Sequence, residues 1–159
     1  MGFVKVAERL GAALALTGAA LSLFIAGLVT VSVLLRWATS SGLSGDFEMV
    51  QMAVALAIFA FLPYTQLRRA NMLVDTFTSR LSAAANARID AFWDVVYAAA
   101  AALLGWRLAV GAGDAIATRT GSMVLGLPVG WAIMACAGMA ILLALAALVT
   151  AIGRFGKQP

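Results

Sequence analysis

Residues 10–35, LGAALALTGAALSLFIAGLVTVSVLL, run for 26 positions without a charged side chain. As a helix rising 1.5 Å per residue, this stretch reaches roughly 39 Å, more than the ~30 Å hydrocarbon core of a bilayer. Lipid offers no partner for a bare N–H or C=O, so a segment of this kind crosses as a helix, which satisfies its backbone internally. The apolar core of a secretory signal spans only about 7–15 residues. The stretch is therefore expected to be a retained membrane span.

Working outward, three more apolar segments follow. No charge occurs between Glu48 and Arg68 or between Arg119 and Arg154, and the block 91–113 is broken only by Asp94 and Arg107. Just 11% of the chain is charged, against about 25% for a soluble domain. The sequence thus predicts an all-α integral membrane protein, one membrane domain over 1–159, with spans near 11–35, 48–67, 91–113 and 129–152.

The net charge of +4 sits at span ends, where headgroups and topology account for it, so it does not point to nucleic acid. Lys5, Arg9, Arg68, Arg69, Arg80, Arg88, Arg154 and Lys157 fall on one side, and only Arg36 and Arg119 on the other. The positive-inside rule then predicts that both termini face the cytoplasm.

Between spans two and three, Val74, Phe77, Leu81, Ala85, Ile89, Phe92 and Val96 recur at three- or four-residue spacing. Polar residues take the other faces. This pattern predicts an amphipathic helix over about 74–90, lying along the cytoplasmic interface before the third span. Asp46 stands where an N-cap for span two is expected, with Glu48 in its first turn. Pro63 is expected to kink or end that span. Small residues repeat every fourth position in three spans (Gly18, Ser22, Ala26, Thr30; Ala101, Gly105, Ala109, Gly113; Ala132, Cys136, Ala140, Ala144), a pattern that permits close helix approach.

The chain has no histidine and one cysteine, Cys136. Haem b, zinc and iron–sulfur ligation and disulfides are therefore not expected, and no cofactor is. Spans one, two and four lack an ionisable group at mid-depth, as a coupled carrier would need. No nucleophile–base constellation suggests an enzyme. Arg107 is the one charge expected well inside the membrane, either meeting a partner or reaching toward the outer interface.

Three runs carry a resemblance: Gly45-Asp46-Phe47-Glu48-Met49-Val50, Leu62-Pro63-Tyr64-Thr65-Gln66-Leu67-Arg68-Arg69, and Asn71-Met72-Leu73-Val74-Asp75. Together with Arg36 ending the first span and Gly126-Leu127-Pro128 ahead of a Trp-containing fourth span, they resemble the small membrane subunit (DctQ-like) of tripartite ATP-independent periplasmic (TRAP) transporters. The resemblance implies a scaffold subunit of a sodium-coupled secondary transporter in the bacterial inner membrane. Its implied partners are a large membrane subunit carrying the substrate and sodium sites, a periplasmic binding protein delivering organic acids such as dicarboxylates, and membrane lipids. Arg36, Glu48, Arg68, Arg69 and Asp75 are then the candidates for positioning helix ends or meeting the partner, with Arg107 a further one. The rival readings are a self-contained homodimeric carrier, which would need an essential acid such as Asp94 or Asp114, and a redox-complex anchor, which would normally offer haem-ligating histidines.

Overall fold

The computed structural model describes residues 2–68 and 82–155. Four helices account for the regular structure among them: α1 (Gly2–Thr39), α2 (Asp46–Leu67), α3 (Ala83–Ala117) and α4 (Val129–Phe155). All four are long and apolar enough to cross a membrane, as the sequence pattern predicts. Most of the expected interfacial helix at 74–90 lies outside the described residues. Its last part, from Ala83, forms the first turns of α3 without a break. Ser82 caps that start, its Oγ accepting from the Ala85 N–H at 3.3 Å.

The helix ends show which residues make the chain turn. α2 is capped by Gly45 at φ 76°, and Asp46 is its first helical residue rather than its cap. Glycine takes the left-handed conformation without steric cost, and the Asp46 carboxylate is engaged by α1 instead. Pro63 is buried inside α2, and the helix continues past it to Leu67. One lost backbone bond does not end a helix whose flanks are packed. At the other end of the chain's second half, α3 stops on Arg119 at φ 51°. The Thr120 N–H reaches the Ala115 carbonyl at 2.9 Å and the Arg119 N–H reaches Ile116 at 3.1 Å, the double closure of a Schellman motif.

The helices pack as a row in the order α1, α2, α4, α3. The pairs α1–α2 and α3–α4 are antiparallel, since Gly11 lies against Tyr64 and Ser32 against Asp46, while Gly130 lies against Ile116 and Gly105 against Ile141. α2 and α4 run parallel, Gln66 near the end of one meeting Thr150 near the end of the other. The start of α1 and the end of α4 therefore share one end of the row, and the α1–α2 and α3–α4 turns share the other. Buried positions are mostly alanines, among them Ala53, Ala57 and Ala60 of α2, Ala98, Ala101 and Ala112 of α3, and Ala137, Ala140 and Ala147 of α4. Association in lipid depends on close van der Waals approach, which small side chains allow.

The four-residue ladders only partly coincide with this packing. Gly18 is buried, but Ser22, Ala26 and Thr30 face outward; Ala101 and Gly105 are buried, but Gly113 is exposed. Four residues turn a helix by about 400°, so each step drifts about 40° off the contact line. Gly11, Gly18 and Ser32, separated by seven and fourteen residues, are buried.

Candidate functional site

Two polar clamps tie the row together, one at each end. At the turn end, the Glu48 carboxylate in the first turn of α2 takes three hydrogen bonds from the α3–α4 loop. The Ser122 hydroxyl donates at 2.5 Å, the Val124 N–H at 2.7 Å and the Leu125 N–H at 3.0 Å. The loop is shaped to offer these donors. Ser122 and Leu127 close it, with Ser122 N–H on the Leu127 carbonyl and Leu127 N–H on the Ser122 Oγ, both at 3.0 Å. Gly126 turns the chain at φ 64°. Bonds to an ionised acceptor are the stronger kind.

Beside it, Asp46 links α2 back to α1. Its carboxylate accepts the Ser32 hydroxyl, sits 3.6 Å from the Arg36 guanidinium, and accepts the Phe47 N–H at 2.7 Å. Arg36 is itself 65% exposed, so the ion pair adds little and the buried Ser32 contact holds the register. Gly42 lies beneath the Arg36 guanidinium, where an added Cβ would come within 3.0 Å of Nη2.

At the opposite end, Gln66 joins three helices. Its Nε2 donates to Asp94 Oδ1 of α3 at 3.0 Å and to Thr150 Oγ1 of α4 at 3.1 Å. Thr150 in turn donates to the Ala147 carbonyl at 2.8 Å. Replacing Gln66 with leucine leaves both oxygens without this donor. Interhelical bonds in membrane proteins average about 0.6 kcal/mol, and a stranded buried acceptor costs about 1–3 kcal/mol. We therefore expect Gln66→Leu to lower stability by about 1 kcal/mol, read as a shifted denaturation midpoint in detergent. An unshifted midpoint would mean the clamp contributes nothing.

The remaining sequence candidates are placed unevenly. Arg68 follows α2, exposed, with its guanidinium 5.4 Å from the centre of the Tyr64 ring. Arg107 is exposed on α3, and no described residue pairs with it. Arg69 and Asp75 lie outside the described residues. Gln66, Thr150, Ser32 and Ser122 are the site residues that sequence reasoning passed over. Gln66 alone carried a signal, as an uncharged polar residue just inside the end of an apolar span.

A cleft of about 520 Å³ opens between α2 and α4 under the α3–α4 loop, lined by Met52, Phe59, Leu108, Ile133 and Cys136 with Glu48 and Gln51 at one end. Glu48 and Ser122 there are already spent on each other. Among the described residues, no cluster of His, Cys, Asp and Glu could hold a metal ion. What this geometry can do is hold helices in register.

Comparison with known families gives one match: the family described as tripartite ATP-independent periplasmic transporters, DctQ component, over residues 25–157. No curated relative and no solved structure matches the chain.

Proposed function

The chain belongs to the DctQ component family of tripartite ATP-independent periplasmic transporters, and from that premise we propose that it acts as a static brace for a larger transport subunit. In this reading it is the small subunit of a sodium-coupled importer of organic acids such as dicarboxylates. The large membrane subunit carries the substrate and sodium sites, and a periplasmic binding protein supplies the solute. Both termini face the cytoplasm, following the distribution of Lys and Arg, so the Glu48 clamp lies on the periplasmic side.

The observation that supports the brace reading is where the polar groups lie. The buried polar side chains among the described residues are Ser32, Gln66 and Thr150, each tied into a clamp near one end of the row. Between the clamps, the helix contacts are alanine and glycine against aliphatic and aromatic groups such as Ile141 and Phe61. A carrier moves a charge or a solute across the bilayer through groups at mid-depth, whereas a brace needs rigid helix pairs locked at both ends.

Extraction of the tagged chain from its native membrane in mild detergent tests the proposal. One much larger multi-span protein is expected in stoichiometric amount, identified by mass spectrometry. Recovery of this chain alone, as a homo-oligomer that transports in liposomes, would overturn the brace reading in favour of a self-contained carrier.

A further inference from the structure

The two edges of the helix row are chemically unlike. α1 packs chiefly on α2 and α3 chiefly on α4, so each turns a broad face away from the rest of the chain. On α1 that face shows Leu16, Leu23, Val31 and Leu34, and no charge occurs between Arg9 and Arg36. It suits lipid. On α3 the outward face carries Arg107.

The direction of Arg107 follows from its neighbours. Gly105 faces α4, since a Cβ there would lie 2.7 Å from Ile141 Cδ1, and Ala98, Ala101 and Ala112 are buried on the same side. Two residues further, at 100° each, Arg107 points about 200° away from that contact. Ala100, Gly111 and Asp114 fall within a sector of about 60° around the same direction, and all are exposed. Nothing lies within 4 Å of where a Cβ on Gly111 would be.

Depth makes this orientation costly in lipid. Arg107 sits ten residues before Ala117, roughly 15 Å from the end of α3. A cation deep in a spanning helix weighs against insertion by roughly hundredfold, and such residues face a bundle interior or a partner. Asp114 is two turns away, about 10 Å along the axis, and cannot neutralise it directly. Small residues at Ala100 and Gly111, on either side of Arg107, would let a second helix come close.

Resting on the brace reading, we infer that the outward face of α3, centred on Arg107 with Ala100 and Gly111, is the seat of a membrane helix of the large subunit that carries a carboxylate at this depth. The α1 edge remains in lipid. Arg107 then completes an ion pair that neither subunit makes alone, and its removal strands the partner's acid.

The test uses the full chain expressed with its transporter. A photo-crosslinking residue at Ala100 is expected to capture the large subunit, while the same probe at Leu23 on α1 captures lipid. Arg107→Glu is expected to cut recovery of the large subunit by about tenfold or more at equal membrane levels of this chain. Exchanging the carboxylate found at the cross-link for arginine should restore it. If the large subunit co-purifies unchanged with Arg107→Glu, or if Ala100 captures only lipid or a second copy of this chain, the inference falls and the brace reading stands. If the unaltered chain recovers no large subunit, both fall.

Discussion

Gly130→Leu is expected to abolish the native pairing of α3 and α4 and to leave the protein largely aggregated after detergent extraction. A Cβ on Gly130 would lie 2.7 Å from Ile116 Cγ1, 3.0 Å from the Ile116 backbone nitrogen and 3.2 Å from the Ala112 carbonyl oxygen. The side-chain contact could swing aside, but the two backbone contacts cannot. The helices must separate, and they separate at the loop end, where the Glu48 clamp depends on their spacing. Overpacking a core typically costs about 1–3 kcal/mol when side chains can shift. Against backbone, with a full isobutyl group, the cost should exceed that range. Gly138→Leu is the control, because nothing lies within 4 Å of its Cβ position. It should remain monodisperse by size exclusion, whereas equal behaviour of the two variants would contradict the packing of α4 on α3.

Glu48→Ala should release the α3–α4 loop while leaving the helices in place. Three donors lose their acceptor at once: the Ser122 hydroxyl and the Val124 and Leu125 N–H groups. Leu125 also packs over Gly45, where a Cβ would come within 2.4 Å of its Cγ, so the start of α2 loses its cover. Trypsin cleavage after Arg119 reads the change, since that residue opens the loop. Cleavage is expected to accelerate by at least about tenfold, the scale set by losing charge-assisted bonds. Glu48→Gln should fall between, because its carboxamide keeps one acceptor oxygen where the carboxylate offers two. An unchanged digestion rate in Glu48→Ala would show that the loop holds itself.

The helices were legible in the sequence because hydropathy over twenty residues is a one-dimensional signal. Four uncharged or nearly uncharged segments appear as four helices. The partners of those helices were not legible. Gln66 and Thr150 are 84 residues apart and Glu48 and Ser122 are 74 apart, and no local pattern marks either pair. Glu48 stood out as a charge opening a helix, for which a favourable dipole was reason enough. The loop that claims it became visible only with the chain folded. Asp46 shows the converse: its sequence position suggested a cap, but a nearby hydroxyl and guanidinium from α1 outcompeted that local role. The four-residue ladders of α1 and α3 wind off their contacts because a helix turns every 3.6 residues, whereas on α4, which has neighbours on two sides, Cys136, Ala140 and Ala144 all stay buried.

The order of helices in the row also bears on biogenesis. α1 with α2, and α3 with α4, are consecutive pairs, while the α2–α4 seam joins helices that are not adjacent in sequence. Each consecutive pair is a helical hairpin that can close as soon as its second helix leaves the ribosome and enters lipid, with few residues of loop to close. The last event of maturation is then a lateral docking of two finished halves within the bilayer. Only that step draws on Glu48 and Gln66, which bridge the halves at opposite ends. Damage to the seam should therefore yield two inserted hairpins that have come apart sideways, a species that a membrane protease meets as an intact but unassembled protein.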